Sequence, residues 1–382
     1  MFKKSLAVVA VLGAFAGASF AANVQIYGDV DAGFQYSYMK AKTLDKKDSF
    51  KMKDGANTAN KIGIKGEEQI SDNLAVGFKL ENGFDIKSGE MGGYSKDKAT
   101  KLFDREAVMY VKSAAGTFAV GHEGGLASGF GMFGKFGGAV SAVGNGYGDA
   151  PGLKFVMGDT FNRYDNSITY QSPNFAGVNL LAQYANDKQD NDGYFDKDGN
   201  TRYGALGATF QNDVAYGVLI LSQEQKYDEN AKTHAKKSTK VSLGGRYNLT
   251  DDVKVFAATQ YFNKSKLAKD LIFAQIAGED DTNVKAKTYN GLGINLGASY
   301  ALGQGVLKGN FGYMHAKEAL EKDLKVNRFT VMGAYDYKLS ARTTAYAFGG
   351  GYFDRYKNLT NKDAKVKDGR ALYAGFGMAH HF

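Results

Sequence analysis

Apolar and polar residues alternate along most of this chain with a period of two. From Lys240 to Leu249, Val241, Leu243, Gly245, Tyr247 and Leu249 share one face, and Lys240, Ser242, Gly244, Arg246 and Asn248 share the other. Between Val24 and Tyr38, Val24, Ile26, Val30, Phe34 and Tyr36 oppose Gln25, Asp29, Asp31 and Gln35. From Arg328 to Lys338, Phe329, Val331, Tyr335 and Tyr337 line one side. Successive side chains of a strand point to opposite faces, so each stretch predicts a strand with one apolar and one polar surface. The pattern runs through the final residues: Phe382, His380, Met378, Phe376, Ala374 and Leu372 form one mostly apolar register. A free edge bearing such a face invites aggregation, whereas a closed barrel has no edge. This strand is therefore expected to pair with the one beginning near Asn23.

The connections predict the architecture. Short ones fall at Ser71 to Asn73, Ala114 to Gly116, Pro173 to Ala176, Asn212 to Asp213, Thr250 to Asp252, Leu302 to Gln304 and Leu339 to Ala341. Long ones fall near 39–59, 87–101, 123–161, 187–201, 226–238, 265–287, 317–325 and 356–368. Seven short turns alternating with eight long loops join sixteen strands, and long loops on one rim with tight turns on the other mark an outer-membrane barrel. The predicted fold is all-β: a closed sixteen-stranded antiparallel transmembrane β-barrel, wide enough to hold a water-filled lumen. A periplasmic or extracellular β-sandwich array also alternates. It would have to bury the full charges of the polar register in a dry core, which is costly. Aromatic residues near strand ends (Tyr27, Phe34, Tyr36, Tyr170, Tyr184, Tyr261, Tyr300 and Tyr337) suit interfacial girdles instead.

Composition narrows the compartment and the chemistry. Lys3 and Lys4 precede an apolar, small-residue run from Leu6 to Phe20, and Ser19 and Ala21 suit cleavage after Ala21. Residues 1–21 are expected to be a secretory signal peptide and residues 22–382 the barrel. The chain has 49 Gly, 24 Tyr and 26 Phe but only two Pro, which favours close strand packing with intact ladders. A mean hydropathy of -0.36 argues against helical spans but not against a barrel, in which every second residue meets lipid. Cysteine is absent, so disulfides, thiolate metal sites and cysteine nucleophiles are excluded.

Six segments then carry a family resemblance. They are Val24-Gln-Ile-Tyr-Gly-Asp-Val-Asp-Ala-Gly33, Lys61-Ile-Gly-Ile-Lys-Gly-Glu-Glu68, Asn73-Leu-Ala-Val-Gly-Phe-Lys-Leu-Glu81, Asp104-Arg-Glu-Ala-Val108 with Gly116-Thr-Phe-Ala-Val-Gly121, Arg163-Tyr-Asp-Asn-Ser-Ile-Thr-Tyr-Gln-Ser-Pro-Asn-Phe-Ala-Gly177 and Gly375-Phe-Gly-Met-Ala-His-His-Phe382. In this order they resemble the general trimeric porins of Gram-negative outer membranes, the sixteen-stranded proteobacterial family. The resemblance implies a third loop, here residues 123–162, that folds into the barrel and narrows it. It also implies a basic cluster on the wall facing acids on that loop. The family's basic positions fall on Lys61 (usually Arg), Arg105 and Arg163. The strand register places Lys61 opposite Ile62 and Ile64, hence inward, and gives Arg163 a face shared with Asp165, Ser167, Thr169 and Gln171. The register at Arg105 would turn Glu106 outward. Lys135 stands where an acid often stands in the family's loop, and the remaining loop acids, Glu123, Asp149 and Asp159, are few. By the same resemblance Phe382 is a membrane-interface anchor and part of the signal read by the barrel-assembly machinery, and early strands form a homotrimer contact.

The expected function is passive diffusion of small hydrophilic solutes and ions through an outer-membrane pore, with a modest anion preference. No catalytic, cofactor or metal site is expected. A solute-selective channel or a barrel adhesin is the competing class. Gly291-Leu-Gly-Ile-Asn-Leu-Gly297 faintly resembles a dinucleotide loop but opens no helix, and Asp196-Lys-Asp-Gly-Asn200 lacks the closing Glu of a calcium loop. His380 and His381 point to opposite faces and cannot easily share a metal. The formal charge of +8 is spread over many loops rather than one stripe, which argues against nucleic acid. The lysine-rich loops suit lipopolysaccharide phosphates and solvent.

Overall fold

The computed structural model describes residues 23–41, 45–92, 101–187, 200–228, 233–272, 275, 287–319, 324–358 and 368–382. The predicted signal peptide, and all of the calcium-like loop except Asn200, lie outside them. Sixteen strand positions form one antiparallel sheet: β1 (Gln25–Ala41), β2 (Lys47–Asp54 and Lys61–Ser71), β3 (Leu74–Gly83), β4 (Glu106–Ser113), β5 (Gly116–Gly124), β6 (Arg163–Gln171), β7 (Val178–Asp187), β8 (Thr201–Gln211), β9 (Ala215–Gln225), β10 (Ser238–Asn248), β11 (Val253–Ser265), β12 (Tyr289–Leu302), β13 (Gly305–Glu318), β14 (Leu324–Lys338), β15 (Thr343–Asn358) and β16 (Gly369–His381). A small hairpin, Tyr227–Asp228 with Thr233–His234, stands apart.

The sheet closes on itself. β16 pairs with β1 from Asp29 opposite His381 to Ala41 opposite Gly369. Phe382 adds two main-chain hydrogen bonds of 3.1 Å to Gly28. There is no room at Gly28 for anything larger than hydrogen, because a Cβ would lie 2.4 Å from the Phe382 ring and 2.5 Å from the Lys61 carbonyl oxygen. The terminal strand thus seals the barrel as its alternation predicts.

The two faces differ as the period-two pattern requires. Large apolar side chains point outward and stay exposed, among them Ile26, Phe34, Tyr36, Leu219, Leu243, Leu296, Phe311, Val331 and Phe376. All the aromatic residues expected at the girdles share that face except Tyr27, which lies on the inward register of Gln25 and Asp29. Its hydroxyl donates to Glu81 at 3.1 Å. Many inward positions are polar, including Asp31, Gln35, Ser242, Gln260, Asn295, Asn310 and Thr330, all buried, and others such as Ile220, Phe262 and Met314 are apolar and pack in the core.

One connection departs from the sequence reading. The loop expected near 39–59 contains a strand, Lys47–Asp54, that continues the pairing with β1. Its lysines and aspartates hid the alternation of Phe50 and Met52, both of which are exposed. The two parts of β2 are separated by residues 55–60, which fold inward over β1. Asp31 accepts hydrogen bonds of 2.7 Å from the Asn57 and Thr58 amides, and Asn60 bonds the main chain of Asp31. This local knot restarts the strand at Lys61 and fixes where that side chain enters the lumen.

Candidate functional site

The basic positions Lys61, Arg105 and Arg163 converge on one patch of the inner wall. Lys61 Nζ lies 2.8 Å from Asp29 and 3.9 Å from Glu81. Glu81 also takes Arg105 Nε at 2.6 Å. Arg163 Nε donates to the Arg105 carbonyl at 2.7 Å, and its guanidinium packs 4.5 Å from the Phe130 ring. One carboxylate therefore ties two of the cations, and a main-chain carbonyl ties the third.

The Arg105 register corrects the sequence reading. Glu106 does not turn outward; it is buried on the inward face and contacts Lys79 at 2.5 Å. Arg105 itself lies before β4 begins, so it is free of the strand's alternation. The main chain holds it inward, with its amide on the Glu81 carbonyl and Asp104 accepting from the Gly83 amide. Both charges therefore face inward without violating the alternation of β4.

Three members of this cluster were not singled out by the sequence: Lys79, Glu81 and Glu106. The signal existed for two of them. Lys79 and Glu81 share parity on the Asn73–Glu81 segment, and they lie beside the stretch whose basic residue is Lys61. Near Arg163, the positive φ of Asn166 (51°) and a register shift between Gly121 and Glu123 locally break the alternation. Asp165 there binds His122 and Lys101, the latter at 2.6 Å.

The four loop residues do not assemble opposite the basic cluster. Glu123 is fully buried at the end of β5, where Ser167, Thr169 and Gln183 donate to it. Asp149 pairs with Lys53 at 3.1 Å and accepts from Gln35 at 2.8 Å. Burial raises the Asp149 carboxyl, but Lys53, Gln35 and Lys269 outweigh it and hold it at about 2. Asp159 meets Lys226 at 3.2 Å. Lys135 lies far down the loop, where its carbonyl accepts from the Tyr216 hydroxyl at 2.9 Å and burial lowers its pKa. Single-residue motif matching could place these charges on the loop but could not fold it.

The loop's contacts run to inward-facing side chains around the barrel. Gly158 N donates to Gln260 at 2.8 Å, Leu126 N to Gln183 at 3.0 Å and Met132 N to Glu106 at 2.6 Å. Tyr147 donates to Asp336 at 2.8 Å beside Lys308. Arg328 is the strongest anchor. It is fully buried and forked onto Asp354 at 2.6 and 2.8 Å, and it donates to the carbonyls of Phe155, Lys269 and Asp270. The glycines of the dinucleotide-like stretch lie in β12 and serve this packing: a Cβ on Gly293 would sit 1.6 Å from the Val156 carbonyl oxygen, and one on Gly297 3.1 Å from Ala142. The motif is a flat seat for the loop backbone.

Comparison with known proteins agrees with this architecture. The family model described as Gram-negative porin matches residues 7–359. An outer membrane porin protein of Bordetella pertussis is 27% identical over the full length of both chains. Outer membrane porin protein 32 of Delftia acidovorans is 26% identical, covering 98% of this chain and 94% of the relative. Among solved structures, an anion-selective porin from Comamonas acidovorans superposes with a TM-score of 0.62 at 19% identity, covering 94% of this chain and all of that one. A sealed sixteen-strand barrel, lipid-suited outside and charged within, is thus joined to full-length similarity, and the chain belongs to the Gram-negative porin family of outer-membrane channels.

Proposed function

We propose that residues 123–162 narrow the lumen and leave a passage along the inner wall of β1–β6, where Lys61, Lys79, Arg105 and Arg163 set a modest preference for anions. One asymmetry carries this reading. The carboxylates of the cluster are sequestered, with Asp29, Glu81 and Glu106 only 7%, 5% and 0% exposed, while the side chains of Lys61 and Lys79 are each 23% exposed. A hydrated ion passing this wall meets ammonium groups first and the compensating charges at greater depth. The anion selectivity of the structurally similar Comamonas acidovorans porin supports the same sign.

Passage requires no covalent step, since a pore works through radius and field and needs binding weak enough to release. Small hydrophilic solutes and ions cross by passive diffusion. The channel works as a homotrimer joined through the outward faces of early strands, where Ile62, Ile70 and Met109 are exposed. Lysine-rich outer loops face lipopolysaccharide, and Phe382 serves barrel assembly. The deciding measurement is the reversal potential across a salt gradient in planar bilayers: an anion-selective sign supports this reading and a cation-selective sign overturns it.

A further inference from the structure

Away from the basic cluster, the tip of the long loop forms a second recess against the wall. It has a volume of about 580 Å³ and lies where β6–β10 reach the short turns. This falls within the usual range for small-molecule sites. Lys135 enters from the loop and Arg246 from β10. Tyr216 links them: its hydroxyl binds the Lys135 carbonyl, and its ring lies 5.6 Å below the Arg246 guanidinium, directly opposite Arg246 in the β9–β10 register. Neither cation forms an ion pair with a carboxylate among the described residues. That contrasts with the constriction patch, where carboxylates compensate Lys61, Lys79 and Arg105.

The rest of the lining is suited to hydroxyl groups. Gln171, Thr209 and Gln211 offer amide and hydroxyl groups, and Asp213 offers one acceptor at the rim. A desolvated ammonium and a guanidinium stacked on an aromatic ring favour a planar carboxylate, which can take two hydrogen bonds from the guanidinium. Neutral amides then discriminate by hydrogen bonding to a hydroxylated tail. Resting on the assignment of the barrel as a diffusion channel, we propose that this recess is a transient binding station for small hydroxylated carboxylates of the sugar-acid class, on the short-turn side of the constriction.

The test uses the purified full-length channel in planar bilayers, with gluconate, acetate and glucose as probes added to either side. Gluconate is expected to interrupt the chloride current in a saturable way, more strongly from one side. Glucose, which lacks the carboxylate, and acetate, which lacks the hydroxyls, should do so far less. Arg246→Gln should weaken gluconate block about tenfold, the loss expected for one charge-assisted hydrogen bond, with Arg246→Lys intermediate. Lys135→Gln gives an independent loss should Arg246→Gln fail to insert. Absence of saturable block, equal block by acetate, or an unchanged blocking constant in both glutamine variants would overturn the assignment. Chloride conductance and reversal potential are recorded on the same channels, so failure of the station is distinguishable from failure of the diffusion pore.

Discussion

Neutralising Lys61 tests the charge arrangement most directly. Its ammonium is the exposed end of a chain of ion pairs, 2.8 Å from Asp29 and 3.9 Å from Glu81. Lys61→Gln removes one positive charge from the passage and leaves Asp29, now facing only His381, less compensated. For an ion passing at roughly 6 Å in water, one unit charge is worth about 0.7 kcal/mol. Screening near 0.1 M salt reduces this to about 0.4 kcal/mol. Anions and cations move in opposite senses, so their permeability ratio should change by about 0.8 kcal/mol, or about fourfold toward cations. Lys61→Glu should double that energy. Reversal potentials across a tenfold salt gradient read the ratio, and single-channel conductance checks that the pore stays open. A ratio that does not move, or that moves toward anions, would refute the claim that the accessible ammonium sets the field.

Gly293→Ala should displace the loop, because its Cβ would start 1.6 Å from the Val156 oxygen and contacts under 3.0 Å are not tolerated, so the backbone must withdraw by at least about 1.4 Å. The displacement is away from β12 and into the passage, and a lower single-channel conductance is the expected reading. Arg328→Met leaves the Asp354 carboxylate buried and unpaired, at a cost of about 3–5 kcal/mol. The barrel should lose its heat resistance on gels, and adding Asp354→Asn should restore part of it. Burial, helped by Lys269, pushes the Lys154 ammonium down to about 8. As pH rises above 8 the folded chain releases this proton while the unfolded chain holds it to about 10.5. The group therefore favours folding increasingly across that window, and the loop loses one positive charge. Anion preference should fall between pH 7 and pH 9, and the fall should shrink in Lys154→Gln.

The barrel was legible because lipid and water impose a strict alternation on every strand, and turn residues such as Asn212-Asp213 punctuate it. Legibility failed where charge overrode the alternation. Lys47–Asp54 carries charges on both faces near the rim, with Lys47, Lys51 and Lys53 on one and Asp48 and Asp54 beside Phe50 and Met52 on the other, so its period was hidden. Arg105 was found by resemblance, but its direction was not, because a residue just outside a strand obeys its main-chain hydrogen bonds rather than strand parity. The long loop was recognisable by length and glycine content. Its path was not, since it depends on contacts such as Arg328 to Phe155 and Gly158 to Gln260, which join residues more than a hundred positions apart. For the same reason Glu123 and Lys135, adjacent to the pore residues in sequence logic, end in a buried hydrogen-bond network and a separate recess.

The seat on β12 makes the aperture and the ion preference separable properties. At Gly293 the loop meets the wall through main-chain atoms, and the side chains of Lys135, Asp149 and Asp159 take no part in that contact. Substituting Lys61 or Lys79 on the opposite wall can recolour the pore while its bore is preserved, whereas a single methyl group on the seat alters the bore and leaves every charge in place. An engineer wanting a channel of opposite sign and equal width would edit the exposed lysines of the wall near Lys61 and leave the glycines of the seat untouched.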